Sequence, residues 1–408
     1  PCLGKRKGDC SGNRLLPDSF EESAMKIPSL DTLVYRTFWA LDRLGRIHTV
    51  RDLATVDFHR LGSILVAVTT ALGDSVAFTP ALTALRKCFP RARIVGLFHK
   101  NFADLYLADP RLDGVILYHG KYRGWRKTLK ALQAERCELA LVPYVNDPDV
   151  IPLIYLGGSR IIFRTPGRNT IYRFMVANPE LLSSAPNPEH ALVRCATMLR
   201  HVGCVVPSLA PTLYIDQSTR ERAAAWLKGH RIPPGVELFA MHPGASIREK
   251  RWPAENFAEV AHAVLRQNGE GWLILTGSAG ERALCERIRA ACGAPDRAVN
   301  AAGEVPLAIL PALLEHVVWL LTNDTGVAHI AYATGTPSLT LFWRSDPQIS
   351  GPFGTRDRHR VLYKGELCHA CQDGRCVYPM CAQAITVGEV LAMAHTMPEP
   401  VGPRKHPA

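Results

Sequence analysis

The sequence predicts an α/β fold built from two doubly wound, Rossmann-like domains, and three observations carry that prediction. Short apolar runs rich in β-branched residues alternate with helical stretches from Ser63 to Pro143, and the alternation starts again from Val236 to Phe342. A Pro- and Ser-rich segment at 179–190, PELLSSAPNPEH, separates the two series. A length of 408 residues with 47% hydrophobic content suits about two domains with sizeable cores. Two such halves leave a cleft between two sets of strand ends, where ligands bind in open α/β sheets.

The elements follow in order. Pro1–Asp18 reads as a polar, loose tail with no apolar h-region, so a secretory signal is not expected there. Leu30, Leu33, Val34, Phe38, Leu41 and Leu44 recur at helical spacing, with Arg36, Arg43 and Arg46 between them. Such a helix packs on its own protein or on another subunit, or lies on an anionic membrane surface. Ser63–Val68 (SILVAV) is the first buried strand. The loop after it lacks the GxGxxG pattern of a dinucleotide site and leads through Gly73–Asp74 into a helix reaching Lys87. Further strands are expected at 93–98, 114–118 and 139–143. After the linker come a helix at 191–202, a strand at 236–241, and the loop HPGASIREKRWP (242–253). A helix at 254–267, a strand at 272–276, a Gly-rich turn at 277–281 and a short strand near Val299 follow. Val317–Leu321 is expected as a buried strand, Thr322–Gly326 as cap and turn, Val327–Thr334 as a helix and Ser338–Phe342 as the next strand. A final helix from Thr386 is expected to pack back across the domains, ahead of a tail from Pro398.

Composition narrows the partners. A net charge of +11 suits acidic ligands such as nucleotides, phosphorylated sugars or anionic lipid. No basic block is interleaved with aromatics, so nucleic acid is not expected. The longest uncharged run, Thr325–Trp343, contains glycines, a proline, a histidine and threonines and is a poor bilayer span. Of twelve cysteines, eight are scattered singly, which fits reduced thiols in a cytoplasmic protein.

Several residues stand out at strand ends. Asp74, at the start of a helix, reads either as a first-turn acid or as a cleft-facing carboxylate. Asp324 reads as a helix cap or a ligand contact, and His329 as a core histidine or a site residue. The helix start at Thr325–Gly326 offers N–H groups and partial positive charge to a phosphate.

Three segments together resemble glycosyltransferase family 9, the lipopolysaccharide heptosyltransferases of Gram-negative bacteria. They are ALGDSVAFTPALTALRKCFP (71–90), MHPGASIREKRWPAENFAEVAHAVL (241–265) and LLTNDTGVAHIAYATGTPSLTLFW (320–343), in the family's order and spacing. The resemblance spans roughly Leu61 to His395 and leaves the first sixty residues unexplained. It implies a GT-B fold, two facing Rossmann-like domains with acceptor on the first and ADP-heptose on the second. It also implies inverting transfer without a catalytic metal, with Asp74 as base and Lys250 on the diphosphate. Thr325 and Gly326 then face the phosphates, Asp324 contacts the sugar and His329 matches a donor-site position. Lys250 and its neighbour Arg251 otherwise read as solvated loop charges. Glu281, after a strand and a Gly-rich turn, reads as a ribose acceptor or a surface glutamate.

The expected division is an extension at 1–60, an acceptor domain at 61–185, a linker at 186–212, a donor domain at 213–385 and a C-terminal helix and tail at 386–408. The cysteines Cys368, Cys371, Cys376 and Cys381 gather in fourteen residues, CHACQDGRCVYPMC. Four thiolates can close a structural zinc or iron site, and a reduced metal-free cluster fits as well. Two acceptors stay open: the lipopolysaccharide inner core, and an autotransporter protein modified by a homo-oligomer. The first places the enzyme in the cytoplasm, peripheral to the inner membrane. A non-catalytic nucleotide-sugar-binding protein on the same scaffold is the third reading.

Overall fold

A computed structural model describes residues 29–144, 147–165, 171–178, 189–355, 357–367 and 380–398. The apolar runs become two separate parallel sheets. In the first, β1 (Ser63–Val68), β2 (Arg93–His99), β3 (Gly114–Tyr118), β4 (Leu139–Tyr144) and β5 (Ile161–Arg164) lie in the order β3-β2-β1-β4-β5. Every neighbouring pair is parallel. Burial on both faces explains why β1 and β4 read as unbroken apolar runs.

The helices of this half are α1 (Leu30–Arg43), α2 (Leu72–Ala77), α3 (Thr79–Cys88), α4 (Trp125–Glu135), α5 (Val150–Leu156) and α6 (Ala191–Arg200). The single helix expected up to Lys87 is broken at Phe78, and Pro80 sits in the first turn of α3, where its missing N–H costs nothing. α6 falls in the stretch expected as linker. Its Cys195, Met198 and Leu199 lie in the same apolar cluster as Leu82, Phe98 and Phe163, so it closes the first domain. α1 packs inward: Phe38 is buried with Leu65, Val95 and Tyr172, and the Tyr35 ring lies tilted against that of Tyr172, 5.6 Å between centres.

The second sheet holds β6 (Leu238–His242), β7 (Trp272–Leu275), β8 (Ala298–Asn300), β9 (Leu320–Asn323), β10 (Ser338–Phe342) and β11 (His359–Tyr363) in the order β11-β10-β9-β6-β7-β8. All its pairs are parallel. The helices are α7 (Gln217–Gly229), α8 (Ala254–Gln267), α9 (Arg282–Ala291), α10 (Leu310–Leu314), α11 (Gly326–Thr334), α12 (Pro347–Ser350), α13 (Met380–Gln383) and α14 (Val387–Ala394). The strand expected at 317–321 runs instead from Leu320 to Asn323, with its register on β10 and β6 set by Leu320 and Leu321. Thr322 and Asn323 therefore belong to the strand and not to the turn. α14 does not cross the domains. Its Val390, Leu391 and Ala394 join the apolar cluster around Trp252, Phe257 and Val260, on the second domain alone.

In each sheet the strand order reverses once, between β1 and β4 and between β6 and β9, and crevices open at the carboxyl ends of such pairs. α2 follows β1 and α11 follows β9. The two helices meet across the domain boundary: Val76 of α2 is buried in the cluster that holds Val327 and Ile330 of α11. Among the described residues, no helix is long and apolar enough to cross a membrane.

Candidate active site

The approach of α2 to α11 depends on two glycines. A Cβ on Gly73 would lie 2.7 Å from Cδ2 of His329, and one on Gly326 would lie 2.6 Å from Cγ of Leu72. A side chain at Gly73 would force His329 to move, and one at Gly326 would displace Leu72 from its Cβ outward. Asp74 is the next residue of α2 after Gly73.

Asp74 is half-buried in the first turn of α2 and accepts a hydrogen bond from the Thr70 hydroxyl. It does not cap the helix, whose N-cap is Ala71. Burial raises its pKa above the usual carboxylate range, with the Thr70 hydroxyl and the Arg194 charge pulling the other way. Arg194, on α6, lies 4.9 Å from the centre of the Tyr144 ring. Its Nε is buried with no hydrogen-bond partner. His190 caps α6 through Nδ1, which accepts from the Leu192 N–H, and its Nε2 donates to the Gly351 carbonyl of the second domain at 3.0 Å. Thr70, Tyr144, His190 and Arg194 were not singled out from sequence.

Across the junction, Lys250 Nζ donates to Asp324 Oδ2 at 2.6 Å, and the Ser345 hydroxyl donates to the same oxygen. Both partners are largely covered. Asp324 is thus an ion-pair partner and not a helix cap; the N-cap of α11 is Thr325, and no side chain caps the helix. The first N–H groups of α11 are left for a ligand. His329 is half-buried one turn into α11. Burial pushes its imidazole down to about 4; Asp324 opposes this, and His190 and Lys250 add to it. It is neutral near pH 7 and cannot supply a cation there.

The loop carrying Lys250 is held from both ends by Asn323, a buried residue the sequence reading placed in a turn. Its Nδ2 donates to the carbonyls of Pro243 at 2.9 Å and Gly244 at 3.1 Å, and its Oδ1 accepts from the Trp252 N–H at 3.1 Å. Trp343 Nε1 adds a bond to the Glu249 carbonyl at 2.7 Å. Arg251, expected to be solvated or to face phosphate, turns into its own loop instead. Its Nη2 donates to the Ala245 carbonyl at 2.8 Å and lies 3.4 Å from Glu281 Oε1.

Glu281 is buried, which overturns the surface-glutamate alternative. Its Oε2 accepts from the Ser278 N–H at 2.8 Å and the Ser278 hydroxyl at 2.9 Å in a capping box. Its Oε1 sits so close to Gly244 that a Cβ there would lie 2.1 Å away. Nearby, His242 at the end of β6 binds the Thr276 hydroxyl through Nδ1, and burial pushes it down to about 4.

Of the four clustered cysteines, Cys368, Cys371 and Cys376 lie outside the described residues. Cys381 is buried in the apolar cluster of the second domain. Among the described residues, no group of three His, Cys, Asp or Glu side chains could hold a metal ion.

Residues 173–381 match the family model described as glycosyltransferase family 9 (heptosyltransferase). The chain is 32% identical over 308 residues to lipopolysaccharide core heptosyltransferase OpsX of Haemophilus influenzae, covering 74% of this chain and 85% of that protein. It is 33% identical over 167 residues to lipooligosaccharide heptosyltransferase 2 of the same species, covering 40% of this chain and 47% of that protein. Escherichia coli heptosyltransferase WaaC with ADP is similar in fold, at a TM-score of 0.60 and 17% identity, over 82% of this chain and 99% of that one.

Proposed function

Because the chain belongs to glycosyltransferase family 9, and is a glycosyltransferase on a GT-B scaffold, we propose that it moves a heptose from ADP-heptose to a hydroxyl of the lipopolysaccharide inner core. The observation that carries the reading is the junction itself: Leu72–Gly73, directly before Asp74, packs on the first turns of the helix that follows Asp324, with Lys250 on the same acid. A relative covered over 85% of its length is a lipopolysaccharide core heptosyltransferase, and WaaC was solved with ADP; both support this donor and acceptor.

The residues divide the reaction between the two domains. Asp74 accepts the proton of the acceptor hydroxyl as that oxygen forms a bond to the anomeric carbon. The bond from that carbon to the diphosphate breaks on the opposite side, so configuration inverts and ADP leaves with the electron pair. The growing negative charge is met by Lys250 and by the N–H groups at the start of α11. In the ligand-free chain the Lys250 ammonium rests on Asp324. An arriving diphosphate replaces that partner and leaves an Asp324 oxygen for a donor hydroxyl. Among the described residues, Glu281 Oε1 has only the 3.4 Å contact to Arg251 and keeps acceptor capacity for a ribose hydroxyl. The neutral His329 positions Gly73 and carries no charge in the step.

The test is a panel of ADP-, GDP- and UDP-sugars offered with truncated lipopolysaccharide or an autotransporter fragment and read by mass. The expected product is lipopolysaccharide carrying one added heptose, from ADP-heptose only. A product on the polypeptide, or transfer from another nucleotide, would overturn the assignment. For the cysteine segment we propose a structural zinc or iron site on ligand spacing alone. Metal content unchanged in Cys368→Ser would remove it.

A further inference from the structure

We propose that the outer face of α1 is a docking surface for an anionic lipid bilayer. The helix carries two apolar stripes, and the described residues cover only one. Val34, Phe38 and Leu41 turn inward with Tyr35, against the first domain. Leu30, Leu33, Thr37, Ala40 and Leu44 recur every three or four residues on another face, and all five are exposed. Leu33 is 57% exposed and Leu44 73%, with Leu30 at 53%. The Thr37 hydroxyl donates to the Leu33 carbonyl, which masks the polar atom within that stripe.

The charges of α1 are sorted in the same way. Its two acids are paired with residues outside the helix, Asp31 with Lys121 and Asp42 with Arg51. Arg36 and Arg43 are exposed on the helix and Arg46 is exposed just past its end, and the Arg43 guanidinium lies 5.1 Å from the ring centre of Trp39, itself 44% exposed. Leucines beside arginines and an exposed tryptophan match the interface of a bilayer, with apolar groups at acyl depth and cations at anionic headgroups. Like charge disfavours a second copy of the chain as occupant, since a two-fold contact would set these arginines against their own copies.

The placement also has a direction. Asp31 and Lys121 tie the start of α1 to the loop after β3, at the strand-carboxyl edge that carries Asp74. A bilayer on the outer face of α1 would lie beside the first domain and leave the second free. The inference goes beyond the transfer reaction and does not depend on its substrate.

The test is flotation of the full chain with phosphatidylcholine vesicles, with and without phosphatidylglycerol. Melting temperature serves as the folding control, since every changed residue is exposed. The chain should float with the anionic vesicles and not with the neutral ones. Leu33→Glu with Leu44→Glu, and separately Arg36→Glu with Arg43→Glu, should each lower vesicle affinity by roughly tenfold or more. A native chain that stays with the soluble fraction would overturn the proposal, and so would equal flotation with neutral vesicles or a leucine double variant that floats unchanged. Light scattering that shows a dimer lost in the leucine variant, without vesicle binding by the native chain, would assign the face to self-association instead.

Discussion

Both sheets reverse at a similar switch point, with Asp74 after the first strand of one and Asp324 after the fourth strand of the other, and the two carboxylates are kept in opposite conditions. Asp74, after β1, has the Thr70 hydroxyl and no ion-pair partner among the described residues, and burial raises its pKa. Asp324, after β9, carries Lys250 and Ser345 on a single oxygen. A carboxylate left without a cation in a partly dry site is poised to take a proton. One already paired holds a lysine in readiness for a larger anion. Fold position alone does not decide the chemistry; the neighbours of each acid do.

That contrast can be broken from the donor side first. Lys250→Ala should weaken ADP binding and lower kcat by about 10²–10³-fold, in the range seen when one stabilising donor is lost; calorimetry with ADP and a turnover assay check it. Gly326→Ala acts on the junction, since the new methyl group must push Leu72 and α2 away. A displacement on the order of an ångström should cost about 10²-fold in kcat/KM, with ADP affinity and melting temperature nearly kept. Asp324→Asn tests the partner exchange. With its acid neutralised Lys250 is released, so ADP should bind as well or better while kcat from ADP-heptose falls by roughly tenfold. Equal losses in both would mean that Asp324 is needed to hold the phosphate site.

The smallest effect lies on the acceptor side and has a defined sign. The Thr70 hydroxyl and Arg194 both lower the pKa of Asp74 against its burial. Thr70→Val or Arg194→Gln should therefore raise that pKa further. Because the ionised form is the base, the acid limb of the kcat/KM profile should move to higher pH while the upper plateau changes less. A limb that stays in place would detach the profile from Asp74.

Much of the frame was legible in the chain itself. Ser63–Val68, Gly114–Tyr118 and Ser338–Phe342 have the bounds their sequence predicts; the first and last are buried along nearly their whole length, where apolar residues dominate, and Gly114–Tyr118 is a half-buried edge strand. β5 and β11 were missed: each is a short edge strand in which arginine or histidine interrupts the run. Of the residues that resemble the family motifs, Gly73 packs on His329 and Lys250 pairs with Asp324. The supporting residues were not legible, because their roles arise only in three dimensions. Asn323 looks like a turn residue until its amide is seen spanning from Pro243 to Trp252. Arg194 sits in a helix read as linker, and only packing on Tyr144 brings it beside Asp74.

The most direct measurement is made on Asp74→Asn, with kcat and the ADP dissociation constant read from the same preparation. Loss of the base should lower kcat by about 10²–10⁴-fold while ADP affinity, set by the other domain, stays within roughly twofold. Turnover near the native rate, or ADP binding lost in step with turnover, would contradict the division of labour between the two domains.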